Sequence, residues 1–194
     1  QREDAYGGSL ENRARLLVEV FQEIRQRVGK FFPILVKINC EDFLEGGFTV
    51  EEMIEVAKML EDLGIDAIEM SGGTFESGKL IPSRGGTSKS EDREVYYRAA
   101  AQGFKREIKI PLILVGGFLS YPLAQEAVKS GLADYIALSR PFIREPGLVK
   151  RWAAGNLEKA ACISCNRCFL TLGMEEALHC AQDKKEKNRQ QQKE

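Results

Sequence analysis

Between Ser9 and about Arg140 the hydrophobic pattern changes period several times. Stretches with an apolar residue every three or four positions alternate with short runs that are apolar almost throughout. The first rhythm belongs to amphipathic helices and the second to strands buried on both faces, so the alternation predicts successive βα units around a parallel sheet. Leu10, Ala14, Leu17, Phe21, Ile24 and Val28 follow Ser9, a good N-cap, and stop at Gly29, which predicts a helix with one buried face. Thr49-Val50-Glu51-Glu52 matches a capping box, and Val50, Met53, Ile54, Ala57, Leu60 and Leu63 carry the apolar stripe to Gly64. A third helix is expected from Ser90 to about Arg106, weakened near Gly103, and a short fourth from Ser120 and Pro122 to Gly131.

The runs between them are Ile34 to Ile38, Ala67 to Met70, Pro111 to Val115 and Tyr135 to Leu138, giving four strands and four βα units. Lys37 interrupts the first of these runs. No internal repeat of matching residues accompanies the rhythm, which argues against a solenoid. Residues 183–194 carry Lys, Gln and Glu without apolar anchors and are expected to form a frayed helix end or a disordered tail.

Composition narrows the function classes. The 194 residues are 43% hydrophobic and 29% charged with a formal net charge of -1, enough for a real core and too balanced to recruit nucleic acid or an anionic membrane surface. No run approaches the ~18 apolar residues of a membrane span, and Gln1-Arg2-Glu3-Asp4 opens no signal peptide, so a cytoplasmic protein is expected. Four of the five cysteines, Cys162, Cys165, Cys168 and Cys180, cluster near the C-terminus, which points to metal or redox chemistry rather than a disulfide framework.

In parallel α/β folds ligands meet the loops that follow the strands. After the third strand, Gly116-Gly117 has no side chains to obstruct a phosphate, and after the fourth, Ser139-Arg140 offers a hydroxyl and a bidentate guanidinium. Alone, the glycines read as a turn and the arginine as a surface charge; their joint placement after consecutive strands shifts both readings toward a phosphate site. Lys37, late in the first strand, could neutralise charge on a bound ligand or snorkel to the rim. Arg84, Gly85 and Gly86 read as a substrate mouth or a solvated turn, with the turn favoured. His179 is the only histidine and reads as solvated.

Several segments, in order, resemble the flavin reductases that include Old Yellow Enzyme, the bacterial ene-reductases and 2,4-dienoyl-CoA reductase. They are Asp4-Ala5-Tyr6-Gly7-Gly8-Ser9-Leu10-Glu11-Asn12-Arg13, Val36-Lys37-Ile38-Asn39, Gly64-Ile65-Asp66-Ala67-Ile68-Glu69, Val115-Gly116-Gly117, and Ala133 through Pro141. The resemblance implies half of a TIM (β/α)8 barrel, strands 5 to 8, over residues 1–160. A Cys-rich segment at 161–182 and a charged tail at 183–194 follow. It implies FMN with its phosphate at Gly116, Gly117, Ser139 and Arg140, and Lys37 at the flavin pyrimidine edge where the family often has Arg. It also implies hydride transfer from NAD(P)H through flavin N5 to an activated alkene.

In that family the Tyr-Gly-Gly-Ser segment stands midway through the barrel, so the catalytic residues are expected in a preceding half and this chain is expected to be inactive alone. Open sheet edges then predict self-association. The Cys162-Ile163-Ser164-Cys165-Asn166-Arg167-Cys168 segment with Cys180 resembles the cluster segment of the dienoyl-CoA reductase branch, with two residues rather than three between the second and third cysteines. A 4Fe-4S cluster, a zinc ion and no metal remain open. The other function classes are a catalytically silent phosphate-binding or self-associating module and an FMN-dependent reductase of nucleic-acid bases.

Overall fold

The four apolar runs become the strands of one parallel sheet ordered β1-β2-β3-β4: β1 (Leu35–Asn39), β2 (Ala67–Ser71), β3 (Leu112–Leu114) and β4 (Tyr135–Ile136). This is a computed structural model in which residues 2–171 and 177–191 are described; part of the Cys-rich segment, 172–176, and the end of the tail, 192–194, lie outside them. β3 and β4 are shorter than the runs that predict them; Pro111 has no amide to donate to a ladder.

The helices are α1 (Leu10–Val28), α2 (Val50–Asp62), α3 (Arg98–Glu107), α4 (Tyr121–Lys129), α5 (Arg140–Arg144), α6 (Leu148–Ala153) and α7 (Ala181–Gln191). Ser9 caps α1 by accepting the Asn12 amide, and the Thr49–Glu52 capping box is closed in both directions at the start of α2. The α2 stripe is buried at Met53, Ile54, Ala57 and Leu60, whereas only Ala14 and Phe21 of the α1 stripe are buried and Ile24 and Val28 stay exposed. The helix expected from Ser90 begins instead at Arg98. Before it, Glu94 is extended and Val95 is held at a φ of 55°, a left-handed conformation that a β-branched residue rarely takes and that no helix can pass through.

The chain divides into two compact units. The first comprises Gln1–Pro82, Tyr97–Val115 and Val128–Ile136 and contains the sheet. Its strands are fastened by a device used twice. Asp66, just before β2, accepts the Ile34 amide and pairs with Arg25 of α1. Asp134, just before β4, accepts the Leu112 amide and pairs with Lys105 of α3. One sheet face is sealed, with Ile68, Met70, Leu112 and Leu114 all at 0% exposure. On the other face the in-register row Lys37, Glu69, Ile113, Tyr135 is uncovered at its ends, Tyr135 being 61% exposed. Lys37 thus interrupts an apolar run because it lies on the open face, where its ammonium pairs with Glu69 at 2.6 Å.

The second unit comprises Ser83–Tyr96, Gly116–Ala127 and Ala137–Glu194. Its core is Leu119, Leu148, Trp152 and Ala160, with Tyr121, Leu138 and Phe142 packed against it. The fully buried carboxylate of Glu94 accepts the amides of Leu119 and Ser120 and the Ser120 hydroxyl, and meets the Lys159 ammonium at 2.7 Å. Four partners thus stand in for the water this charge has lost.

Candidate functional site

Within the second unit the structure brings Gly117 and Arg140 to the same side chain, Tyr96. Gly117 has a φ of +80°, and a Cβ built on it would stand 2.3 Å from Cε1 and 2.6 Å from Cζ of Tyr96. Only glycine lets the phenol ring lie this close to the main chain. The Arg140 Nη2 donates to the hydroxyl of the same ring at 3.0 Å. Two residues 23 apart in sequence therefore flank one phenol.

Arg140 is oriented further by its Nη1, which donates to the Arg84 carbonyl at 3.1 Å and to Asn166 Oδ1 at 2.5 Å. Among the described residues this engages three of its five N–H donors, leaving Nε–H and one Nη2–H for a ligand. The Tyr96 hydroxyl in turn donates to the Arg84 carbonyl at 3.2 Å and lies 2.5 Å from Thr87 Oγ1. Gly116 has a φ of +134° and its carbonyl accepts the Tyr96 amide at 3.0 Å. Ser139 is exposed, precedes α5 and gives its carbonyl to the amides of Phe142 and Ile143. The donor types here are those that bind phosphate, a guanidinium with two N–H groups uncommitted among the described residues and an exposed serine beside it, while the space at Gly117 is taken up by the Tyr96 ring.

In the 84–86 segment, favoured above as a solvated turn, Gly85 is exposed but Arg84 is packed, its guanidinium 4.8 Å over the Tyr96 ring and its main-chain carbonyl taking three hydrogen bonds. Sequence reasoning passed over Tyr96, Thr87 and Asn166, which lie in loops where no periodicity marks them. Lys37 belongs to the first unit, where its contact is with Glu69.

Cys162, Cys165, Cys168 and Cys180 line one pocket together with Arg140 and Arg144. Burial pushes the Cys162 thiol up. Arg144 pairs with Glu186 and its Nη1 lies 3.8 Å from Cys180 Sγ. The donor types suit a soft metal, but among the described residues no three His, Cys, Asp or Glu groups stand close enough to hold one. As arranged here the thiols do not fit a cluster. His179 Nδ1 lies 3.0 Å from the Ala177 carbonyl.

A family model described as NADH:flavin oxidoreductase / NADH oxidase matches residues 1–159. The chain is 36% identical over 169 residues to an NADH oxidase of Thermoanaerobacter brockii, a match covering 86% of this chain and 25% of that protein. It is 30% identical over 196 residues to a cinnamate reductase of Clostridium sporogenes, covering 93% and 29%. Among solved structures it resembles a 2-naphthoyl-CoA reductase with a TM-score of 0.79 and 32% identity, over 93% of this chain and 27% of that one. The chain thus spans about a quarter of the length of these relatives, and its four-stranded parallel sheet with helices is a partial TIM barrel.

Proposed function

Because the chain belongs to the NADH:flavin oxidoreductase / NADH oxidase family, we propose that it supplies the phosphate-binding side of an FMN site in an NAD(P)H-dependent reductase of the ene-reductase type. The observation that carries this reading is the meeting of Gly117 and Arg140 around Tyr96. Arg140 offers its remaining edge as a two-pronged donor to phosphate oxygens, Ser139 a hydroxyl, and Gly116 and Gly117 a main chain that carries no side chains of its own. Lys37 is assigned to the electron-rich pyrimidine edge of the flavin on its strand position and charge. The chemistry FMN supplies when bound is hydride transfer from NAD(P)H to an activated alkene, a substrate class in keeping with the cinnamate reductase among the relatives. No proton donor to the alkene is assigned among these residues, so the chain alone is expected to hold flavin without turning over substrate.

The test is the visible absorbance of the purified chain after incubation with FMN and gel filtration. Near-stoichiometric flavin supports the reading; a folded protein that retains none overturns it.

The uncovered row on the sheet and the open edges of β1 and β4 support pairing with further strands, and a second copy of the chain is the partner proposed here. A strictly monomeric species in sedimentation at micromolar concentration counts against that. Cys162, Cys165, Cys168 and Cys180, none of them in a disulfide, support a reducing, cytoplasmic setting, and among the described residues no helix is long and apolar enough to cross a membrane.

A further inference from the structure

The Cys-rich segment contributes something besides thiols. Asn166, between Cys165 and Cys168, directs Oδ1 at the Arg140 guanidinium at 2.5 Å and donates from Nδ2 to the Ser83 carbonyl at 2.6 Å. These partners fix which way the amide faces, since a flipped amide would set donor against donor and acceptor against acceptor. The residue sits at a φ of 59°, a left-handed conformation that Asn tolerates better than most side chains. Its neighbours tie the same segment to the 83–88 loop: Gly86 donates to the Ser164 carbonyl at 3.2 Å and Ser88 Oγ to the Ile163 carbonyl at 3.0 Å.

We infer that Asn166 is a positioning residue for the flavin phosphate: it holds Arg140 so that the Nε–H and the remaining Nη2–H face the ligand as a fork. The inference rests on the phosphate reading above and extends it to a residue in a segment otherwise marked by its cysteines. The Nη1 end of the guanidinium is fully committed, to Asn166 and to the Arg84 carbonyl, and Tyr96 takes one Nη2–H. Rotation of the guanidinium would break all three bonds at once.

The neutrality of Asn166 matters as much as its geometry. A carboxylate here would accept the same hydrogen bond while cancelling the positive charge that a phosphate needs. An amide orients the arginine and leaves its charge uncommitted.

The experiment measures dissociation constants of the full chain for FMN and for riboflavin, which lacks the phosphate, by flavin fluorescence quenching. Asn166→Gly is the first variant, because glycine adopts the left-handed backbone without strain while removing the side chain. The Kd for FMN is expected to rise about tenfold, the effect of losing one hydrogen bond to a charged group, and that for riboflavin to stay within about twofold. Asn166→Asp is expected to weaken FMN as well, increasingly so at low salt, again sparing riboflavin. In an Arg140→Ala background Asn166→Gly is expected to change nothing further, because its effect runs through the arginine.

If Arg140→Ala weakens FMN but Asn166→Gly does not, this inference falls and the phosphate site stands. Equal losses for FMN and riboflavin overturn it in favour of a structural role. No response to Arg140→Ala, or no FMN binding by the unmodified chain, removes the phosphate reading and this inference together. Should Asn166→Gly fail to fold, Asn166→Ala carries the same comparison, since it too removes the acceptor of the Arg140 hydrogen bond.

Discussion

The Asp66 carboxylate accepts the Ile34 amide at 2.7 Å while the Asp66 amide donates to the Ile34 carbonyl at 3.1 Å, so two residues 32 apart close a two-bond ring. Asp134 and Leu112 do the same at 2.7 and 2.9 Å. In both rings the carboxylate oxygen that takes the amide also meets a helix cation, Arg25 or Lys105. One side chain thus joins a strand to its neighbour and to a helix.

Asp66→Ala removes the side-chain acceptor of the Ile34 amide and the partner of Arg25. With the carboxylate 42% exposed, solvent screens part of the pair, and the expected loss is about 1.5 kcal/mol. Asp134→Ala is expected to cost a similar amount, and the two to add, because they share no partner. Urea midpoints of the single and double variants check this; a double variant no worse than either single one would show the rings to be a single fastening.

The same carboxyls set an acid limit. Burial pushes both up, but the strand amides and the helix cations outweigh it and hold Asp66 and Asp134 below their ordinary value of 3.8. A carboxyl depressed in the folded state contributes stability that is full above its unfolded pKa and is lost as pH falls through the folded one. The urea midpoint is therefore expected to decline as pH drops below about 4, and less steeply in the double alanine variant. An unchanged slope in that variant would assign the acid limit to other groups.

Glu94→Ala leaves Lys159 without its buried partner and three donors without an acceptor. The expected loss is about 4 kcal/mol, the range for breaking a buried pair from one side. Trp152, the only tryptophan, lies in the core of the same unit, so its fluorescence reports the transition. A variant with an unaltered transition would mean that the buried carboxylate is not needed there.

Gly117→Ala drives a methyl into the Tyr96 ring at a backbone angle alanine avoids. FMN retention is expected to be lost and stability to fall by about 2 kcal/mol. Gly131→Ala provides the control: φ is +72° but nothing lies within 4 Å, so only backbone strain of about 1 kcal/mol is added. Equal costs in the two variants would assign the Gly117 effect to strain alone and set aside the close approach of the ring.

What the sequence revealed was whatever a period carries. The strands were legible as apolar runs, α2 as a capping box followed by a stripe, and Gly117 and Arg140 as residues placed just past strands. Glu94 was absorbed into a helix because Glu and Val carry no warning of a left-handed Val95. Tyr96 and Asn166 reach Arg140 across 44 and 26 residues from irregular loops, where spacing carries no signal. Asn166 was further hidden by its neighbours, since a residue between cysteines is read as a spacer.

The uncovered row Lys37, Glu69, Ile113, Tyr135 also bears on how the chain behaves in solution. A slab with one dry face and one wet one is an adhesive plane unless something on the wet side resists stacking. The charged pair at the β1 end of that row obliges any surface laid upon it to offer matching polarity or to strip two ions of water. The pair therefore acts as a filter on company, admitting partners with complementary chemistry and leaving indiscriminate apolar contact unrewarded.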